Sequence, residues 1–503
     1  MFQRTALQNV RVKSTWRYEK STLSQSVQTD EVHFKECNTQ FPHTSTNYVQ
    51  TEAEPEFVVE NTGTIKYDSK KLNKFLEKCL PIVKDEIEKS QQFSSVWEKS
   101  LKLWNKCINE VKYLRSFYST YLIQLLNDQQ KENKYYVSAA TLNCSATSVA
   151  VTYKVNTHDD WCTHQSFVFI WSLFRSYGKS SQPFLVVETD GCISTIEAHI
   201  SMPSVYAIGT VNGKIAVINT RLSDNDNYVM AVSPTVEYLH KDSITVLKWL
   251  KQSNKKVYSL ISCSLDGKII VWTVNESKKE MEPTTVYLIL LSDLPRTMSV
   301  KSSAAKSNAE VGVTTLSVSA ENEDVFVIGC QGGAVFQCSF SKQMPAKVDT
   351  EEFDYPLQSD LFKSPINLAY VPHRLNVTSV HFSPHSRNKF LSAAFDNELR
   401  VYTLLDSKPL AVFHCEFNSL NATWIPMSPI IVSSHENGLI SVYTFNENKK
   451  SLKIGRTFAL ENNQKTTSVN TNYCESNSEI LVTTNVDEVH LLDLKDILNS
   501  IEI

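Results

Sequence analysis

Two places in the sequence gather side chains that could do chemistry. The stretch HDDWCTH, residues 158 to 164, brings together His158, Asp159, Asp160, Cys162 and His164, donor types that suit a transition metal. His158, Cys162 and His164 would have to converge from one short loop, and no second pair stands at a recognised zinc spacing, so a metal is not expected there. Further on, His240, Ser262 and Asp266 formally supply a Ser-His-Asp set, with Trp272 close by in sequence. No G-x-S-x-G elbow exposes that serine as a nucleophile. The 12 glycines nowhere form G-x-x-x-x-G-K-[ST], which leaves no cradle for nucleotide phosphates. The 11 cysteines never form C-x-x-C, so neither a zinc knuckle nor a dithiol redox pair is indicated. They read as small buried hydrophobes in a reducing compartment. No catalytic residue and no cofactor is expected.

The elements that carry these residues fall into three regions. The chain has 503 residues, 42% hydrophobic and 21% charged, with a net charge of −4. That length exceeds one ordinary core and calls for several units or a large repeat architecture. The charge gives no reason to expect nucleic acid or an anionic membrane surface. The opening MFQRTALQNVRVKSTWRYEK lacks an apolar secretory core, and no run approaches the roughly 18 apolar residues of a spanning helix. Neither secretion nor membrane insertion is expected.

Residues 1–62 are rich in Ser, Thr, Gln and Asn and poor in aliphatics, so they cannot offset their ordering entropy alone and read as disordered until bound. Residues 63–134 read as helical. Leu72, Phe75, Leu76, Cys79, Val83 and Ile87 form an amphipathic stripe, which Pro81 is expected to kink or split. A second helix is expected from Ser95, boxed by Glu98, with a stripe through Trp97, Leu101, Trp104, Ile108, Val111, Tyr118, Leu122 and Leu125.

From 135 to 503 the pattern is β. Turn-plus-strand phrases recur: VNGKIAVI (211–218), LDGKIIVW (265–272), QGGAVFQC (331–338), FDNELRVY (395–402), ENGLISVY (436–443) and NVDEVHLL (485–492). With THQSFVFIW (163–171) they make seven. Each is a turn former followed by alternating apolar residues, which predicts a hairpin entering a half-buried strand. Repeats of this kind predict an all-β, seven-bladed propeller, complete within 135–503 and preceded by the helical and disordered segments.

VTSVHFSPHSRNKFLSAAFDNELRVYTL (377–404) resembles a WD repeat along its whole length, with Tyr402 where that family prefers Trp, and residues 239–274 add its His240 and Trp272. Neither repeat ends in Trp-Asp. The non-repeat stretches carry more. STWRYEK, YVQTEAEP, YDSKKLNKFLEK, DDWCTHQSFVFIWSL, EVGVTTLSV and FSPHSRNKFLSAAFDNELRVY, in that order, resemble the WD-repeat intermediate chains of the cytoplasmic dynein of cilia, dynein-2.

The resemblance implies a non-catalytic motor subunit serving retrograde intraflagellar transport and cilium assembly, in the cytoplasm, the cytoskeleton and the cilium with its axoneme and basal body. Its propeller would grip the dynein-2 heavy chain, and its N-terminal region would couple it to a second intermediate chain. The phrases SVQTD and YVQTE would each add a strand to a small dimeric dynein light chain, through Val27, Gln28 and Thr29 and through Val49, Gln50 and Thr51. Thr39 and Gln40 form a weaker third phrase. Gln28, Gln40 and Gln50 would stand about 33–40 Å apart on extended chain, enough for dimers side by side. The helix stripe Leu72, Phe75, Leu76, Val83 and Ile87 would dock a roadblock-type light chain. By the same resemblance, Asp160 and Trp161 belong to a structural loop of the first blade. His240, Ser262, Asp266 and Trp272, with Ser392 and Asp396 in the later repeat, would form hydrogen-bonded networks that tie blade strands together. The alternative from another class is a WD-repeat adaptor that presents substrates to a ubiquitin ligase.

Overall fold

The computed structural model describes residues 69–84, 87, 112–118, 122, 125, 135–155, 158, 161–173, 182–222, 228–236, 238–251, 258–295, 297–298, 309–342, 344–346, 361–426, 428–460, 466–471, 479–484, 488–495 and 497. The chain separates into two compact units, Met1–Ile82 and Val83–Ile503. Among the described residues, a helix, α1, spans 69–84. It is not split at Pro81. A proline removes one donor and crowds the carbonyl four residues back, yet the helical backbone continues across it.

The rest is built from β-strands in a propeller-like arrangement. β1 is Lys112–Tyr118. The first meander is β2 (Tyr135–Leu142), β3 (Ser148–Val155), β4 (Gln165–Ser172) and β5 (Leu185–Asp190). Next come β6 (Ile193–Ala198), β7 (Val205–Thr210), β8 (Ile215–Asn219) and β9 (Val229–Val232), then β10 (Ile244–Lys251), β11 (Tyr258–Ser264), β12 (Lys268–Asn275) and β13 (Glu280–Leu288). β14 (Val313–Val318), β15 (Val325–Cys330) and β16 (Val335–Ser339) precede a short pair, β17 (Met344–Pro345) and β18 (Phe362–Ser364), and are completed by β19 (Ile366–Ala369). β20 (Val377–Phe382), β21 (Lys389–Ala394), β22 (Glu398–Thr403) and β23 (Asp406–His414) form another sheet, as do β24 (Ser419–Trp424), β25 (Ile430–His435), β26 (Leu439–Asn446) and β27 (Ser451–Ala459). The last strands are β28 (Thr466–Thr471), β29 (Glu479–Thr484) and β30 (Glu488–Asp493).

Five sheets are four-stranded. The sixth has ten strands, because the β6–β9 and β10–β13 meanders are joined by a parallel bridge between Glu280 and Val232 and carry β17 and β18 along β13. The first strands pack in a cycle: β2 on β6, β6 on β10, then β14, β20, β24 and β28, with β28 returning to β2. The apolar alternation of the recurring phrases accounts for this arrangement. In each, the strand after the turn is the third of its meander; β12 is buried on both faces, Ile269 on one and Ile270 and Trp272 on the other. The turn residue takes the left-handed conformation, φ 102° at Gly333 and 63° at Asn397. At Gly333 a Cβ would come within 2.3 Å of the His373 carbonyl oxygen, so only glycine fits.

The sequence expectation fails at the N-terminal edge. Residues 112–118, read as part of a helix, are strand β1, and β1 pairs antiparallel with β30 to supply the fourth strand of the last sheet. The β-structure is therefore not complete within 135–503. The apolar residues of KYLRSFY, Tyr113, Leu114, Phe117 and Tyr118, have a helical spacing, and tertiary pairing overrides it: the open edge of β30 takes the segment as a strand, with an irregularity between Tyr113 and Arg115. Phe117 is fully buried, with its ring 5.2 Å from that of Trp171 on β4.

Candidate interaction site and buried polar networks

The residues of the expected docking stripe lie on α1, with Ile87 just beyond it. Leu72, Phe75, Leu76, Val83 and Ile87 are all exposed, Phe75 to 62% of its surface. Residues three and four apart share a helix face, so Leu72, Phe75 and Leu76 make one contiguous patch, and Val83 follows about two turns on. Val27, Gln28, Thr29, Thr39, Gln40, Val49, Gln50 and Thr51 lie outside the described residues, as does the stretch from Ser95 to Val111.

The polar sets lie inside the β-structure. His240 precedes β10, Ser262 sits on β11, Asp266 in the turn after it and Trp272 on β12. The β11–β12 register brings them together. His240 shares hydrogen bonds with Ser262 Oγ through Nε2 (2.6 Å) and with Asp266 through Nδ1 (3.3 Å), and Trp272 Nε1 donates to Ser262 Oγ (2.8 Å). The backbone amides of Lys241 and Lys268 donate to the Asp266 carboxylate. Burial pushes that carboxyl up, but the hydrogen bond and charge of His240, with Lys268 and the Lys241 amide, bring it down to about 2. Ser262 is fully buried, so its hydroxyl is out of reach of a substrate, and the set fastens the loop before β10 to the β11–β12 turn.

A second set is built the same way with one change. His373 shares hydrogen bonds with Ser392 Oγ (2.7 Å) and Asp396 (3.0 Å), and the amide of Arg374 donates to Asp396 (2.9 Å). Tyr402, placed on β22 as Trp272 is on β12, donates to the Val371 carbonyl (2.8 Å). Arg400 donates to the Val371 and Pro372 carbonyls and to Glu398. Burial holds the His373 imidazole below its ordinary value against the pull of Asp396, so it is neutral near pH 7. Burial raises the Asp396 carboxyl, but His373, the Arg374 amide and Arg400 bring it to about 2. Sequence reasoning named Ser392 and Asp396 and missed His373, Glu398 and Arg400. The available signal was spacing: His373 precedes Asp396 by 23 residues, as His240 precedes Asp266 by 26.

Comparison with known proteins joins these features. The family model "WD domain, G-beta repeat" matches residues 221–273 and 367–403, which contain both networks' acidic residues and His240 and His373. The chain is 26% identical over 446 residues to the mouse protein "Cytoplasmic dynein 2 intermediate chain 2", covering 88% of this chain and 79% of that one. It is 27% identical to the human protein of the same name over 63% of this chain and 58% of that one. The chain is a relative of the dynein-2 intermediate chains. The wider relationship extends to "Dynein, 78 kDa intermediate chain, flagellar outer arm" of Chlamydomonas reinhardtii, 20% identical over 54% of this chain and 37% of that one. The stretch aligned with the mouse dynein-2 chain is longer than the span from Lys112 to Ile503, so the similarity reaches into the region before the β-structure.

Proposed function

We propose that this chain is a non-catalytic intermediate chain of a ciliary dynein-2 motor. The observation that carries the reading is the similarity to a dynein-2 intermediate chain across 88% of the sequence, beyond what shared WD repeats account for. The closed cycle of first strands, with β1 completing the last sheet, supports a seven-bladed ring, the two halves of the ten-stranded sheet being two blades. That rigid ring is the platform for the heavy-chain tail.

The exposed stripe of α1 supports docking of a roadblock-type light chain in the helix-in-groove manner, with Leu72, Phe75, Leu76, Val83 and Ile87 as anchors. The two Val-Gln-Thr phrases recruit small dimeric light chains by strand addition, with Thr39-Gln40 between them. Tandem clamps raise effective concentration and so tie this chain to a second intermediate chain. The cellular consequence is retrograde intraflagellar transport and cilium assembly, with the protein at the axoneme and basal body. The test is affinity purification of the tagged full chain from ciliated cells. Recovery of a dynein heavy chain with light chains supports the reading, and recovery of ubiquitin-ligase subunits in their place would replace it with the adaptor reading.

A further inference from the structure

The HDDWCTH loop, expected to be structural only, acquires a fourth donor in the fold. His158, Cys162 and His164 lie between β3 and β4, and Cys192 lies just before β6, 30 residues after Cys162. One donor atom from each of the four lies within 4.8 Å of the others. The Cys162 sulfur is 3.4 Å from His164 Nδ1. A tetrahedral zinc site with bonds of about 2.0–2.3 Å has ligand–ligand edges of about 3.3–3.8 Å, so the four donors need only a small contraction to enclose an ion.

The surroundings are built to hold these donors. Both sulfurs accept backbone N–H bonds, Cys162 from Cys192 (3.2 Å) and Cys192 from Val155 (3.4 Å), which fix their positions. Asn212, in the β7–β8 turn, grips the peptide of Cys162 from both sides: it accepts from the Cys162 amide (2.9 Å) and donates to the Cys162 carbonyl (2.8 Å). The amide of Gly191 donates to the His164 carbonyl (3.0 Å). The His158 and His164 rings stand 5.2 Å apart, edge to face. Nε2 of His158 is buried with no hydrogen-bond partner among the described residues. Cys162 and Cys192 are both buried.

We propose that His158, Cys162, His164 and Cys192 form a structural zinc site that fastens the first meander to the start of the second. Two thiolates neutralise the dication, so the loaded site carries no net charge into a buried setting. A set of two soft sulfurs and two imidazoles selects zinc over magnesium or calcium, and four protein ligands leave no open position for chemistry.

The test uses the full chain purified under reducing conditions without chelator. Metal analysis should find one zinc per chain. After stripping, titration with cobalt(II) should give the intense visible bands of a tetrahedral ion, together with sulfur-to-metal charge transfer. Cys192→Ser and His158→Gln should each weaken cobalt binding by more than the about 10–100-fold expected of Asn212→Ala, which only orients a ligand. Should a variant fail to fold, the native chain's own titration decides. Substoichiometric metal after exposure to excess zinc, an octahedral cobalt spectrum, or a Cys162–Cys192 disulfide in the reduced preparation would overturn the proposal.

Discussion

Ser116 and His490 stand 374 residues apart in the chain and share a hydrogen bond of 2.8 Å. It joins β1 to β30, and the same register pairs Phe117 with Val489 and Tyr113 with Leu492. The last sheet thus takes its fourth strand from ahead of the first, and the ring is held shut by a pairing distant in sequence. Closure of this kind removes a free edge that would otherwise offer unpaired backbone groups to other chains.

A fragment starting at Tyr135 should therefore be less stable and more prone to aggregate than one starting ahead of Lys112, because it leaves the edge of β30 unpaired. Within the full chain, Phe117→Ala should cost about 3–5 kcal/mol, since the ring is fully buried against Trp171. Chemical denaturation of the two fragments and the variant checks this; equal midpoints would mean that β1 adds nothing.

The buried networks should act on stability alone. Asp266→Ala leaves His240 and two backbone amides short of an acceptor, and His373→Ala strips Asp396 of a donor and Ser392 of its imidazole partner; each should cost about 1–3 kcal/mol. Ser262→Ala should remove no activity. A hydrolase reaction lost with Ser262 would contradict the structural assignment.

Stability should fall on acidification in two windows. His199 is buried, and its Nδ1 accepts from the amides of Ser201 and Met202, so a proton there would break both bonds. Burial lowers its pKa to about 4, whereas an unfolded histidine titrates near about 6.5. Between those values the unfolded chain binds more protons, and stability declines as pH drops. Asp266 and Asp396, brought to about 2, contribute stability that is present above their unfolded value near about 4 and lost as pH falls through about 2. Melting temperature measured across pH should show the upper decline, and His199→Gln should flatten it.

Charge placed on α1 should separate docking from folding. Phe75→Asp with Leu76→Asp puts two carboxylates into the exposed stripe and should abolish binding of a roadblock-type light chain by a factor above about 100, if these residues are the central anchors. The melting of the β-structure should not move. Retained binding would place the light-chain site elsewhere.

Much of the fold was legible because the phrase that ends each repeat contains its own instructions. A turn residue able to take positive φ, as at Gly333 and Asn397, precedes alternating apolar positions that become a buried third strand. The two most regular repeats, around 239–274 and 377–404, are also where the WD family model matches. What local pattern could not show is where a segment finds its partner. KYLRSFY has the apolar spacing of a helix, and only its pairing with β30, at the far end of the chain, makes it a strand. Cys192 had no sequence mark linking it to His158, Cys162 and His164, because the strand pairing of β4 with β5 brings it there. His373 differs: its spacing to Asp396 is close to that of His240 to Asp266 and was legible, although Ser392 reaches it from β21 and Asp396 from the turn after that strand.

The most direct test of the dynein assignment is quantitative affinity purification of the tagged full chain and of its Phe75→Asp/Leu76→Asp variant from ciliated cells. The native chain should recover a dynein-2 heavy chain, a second intermediate chain and light chains, and the variant should keep the heavy chain while losing the roadblock-type light chain. Recovery of no dynein heavy chain by the folded native protein would contradict the account.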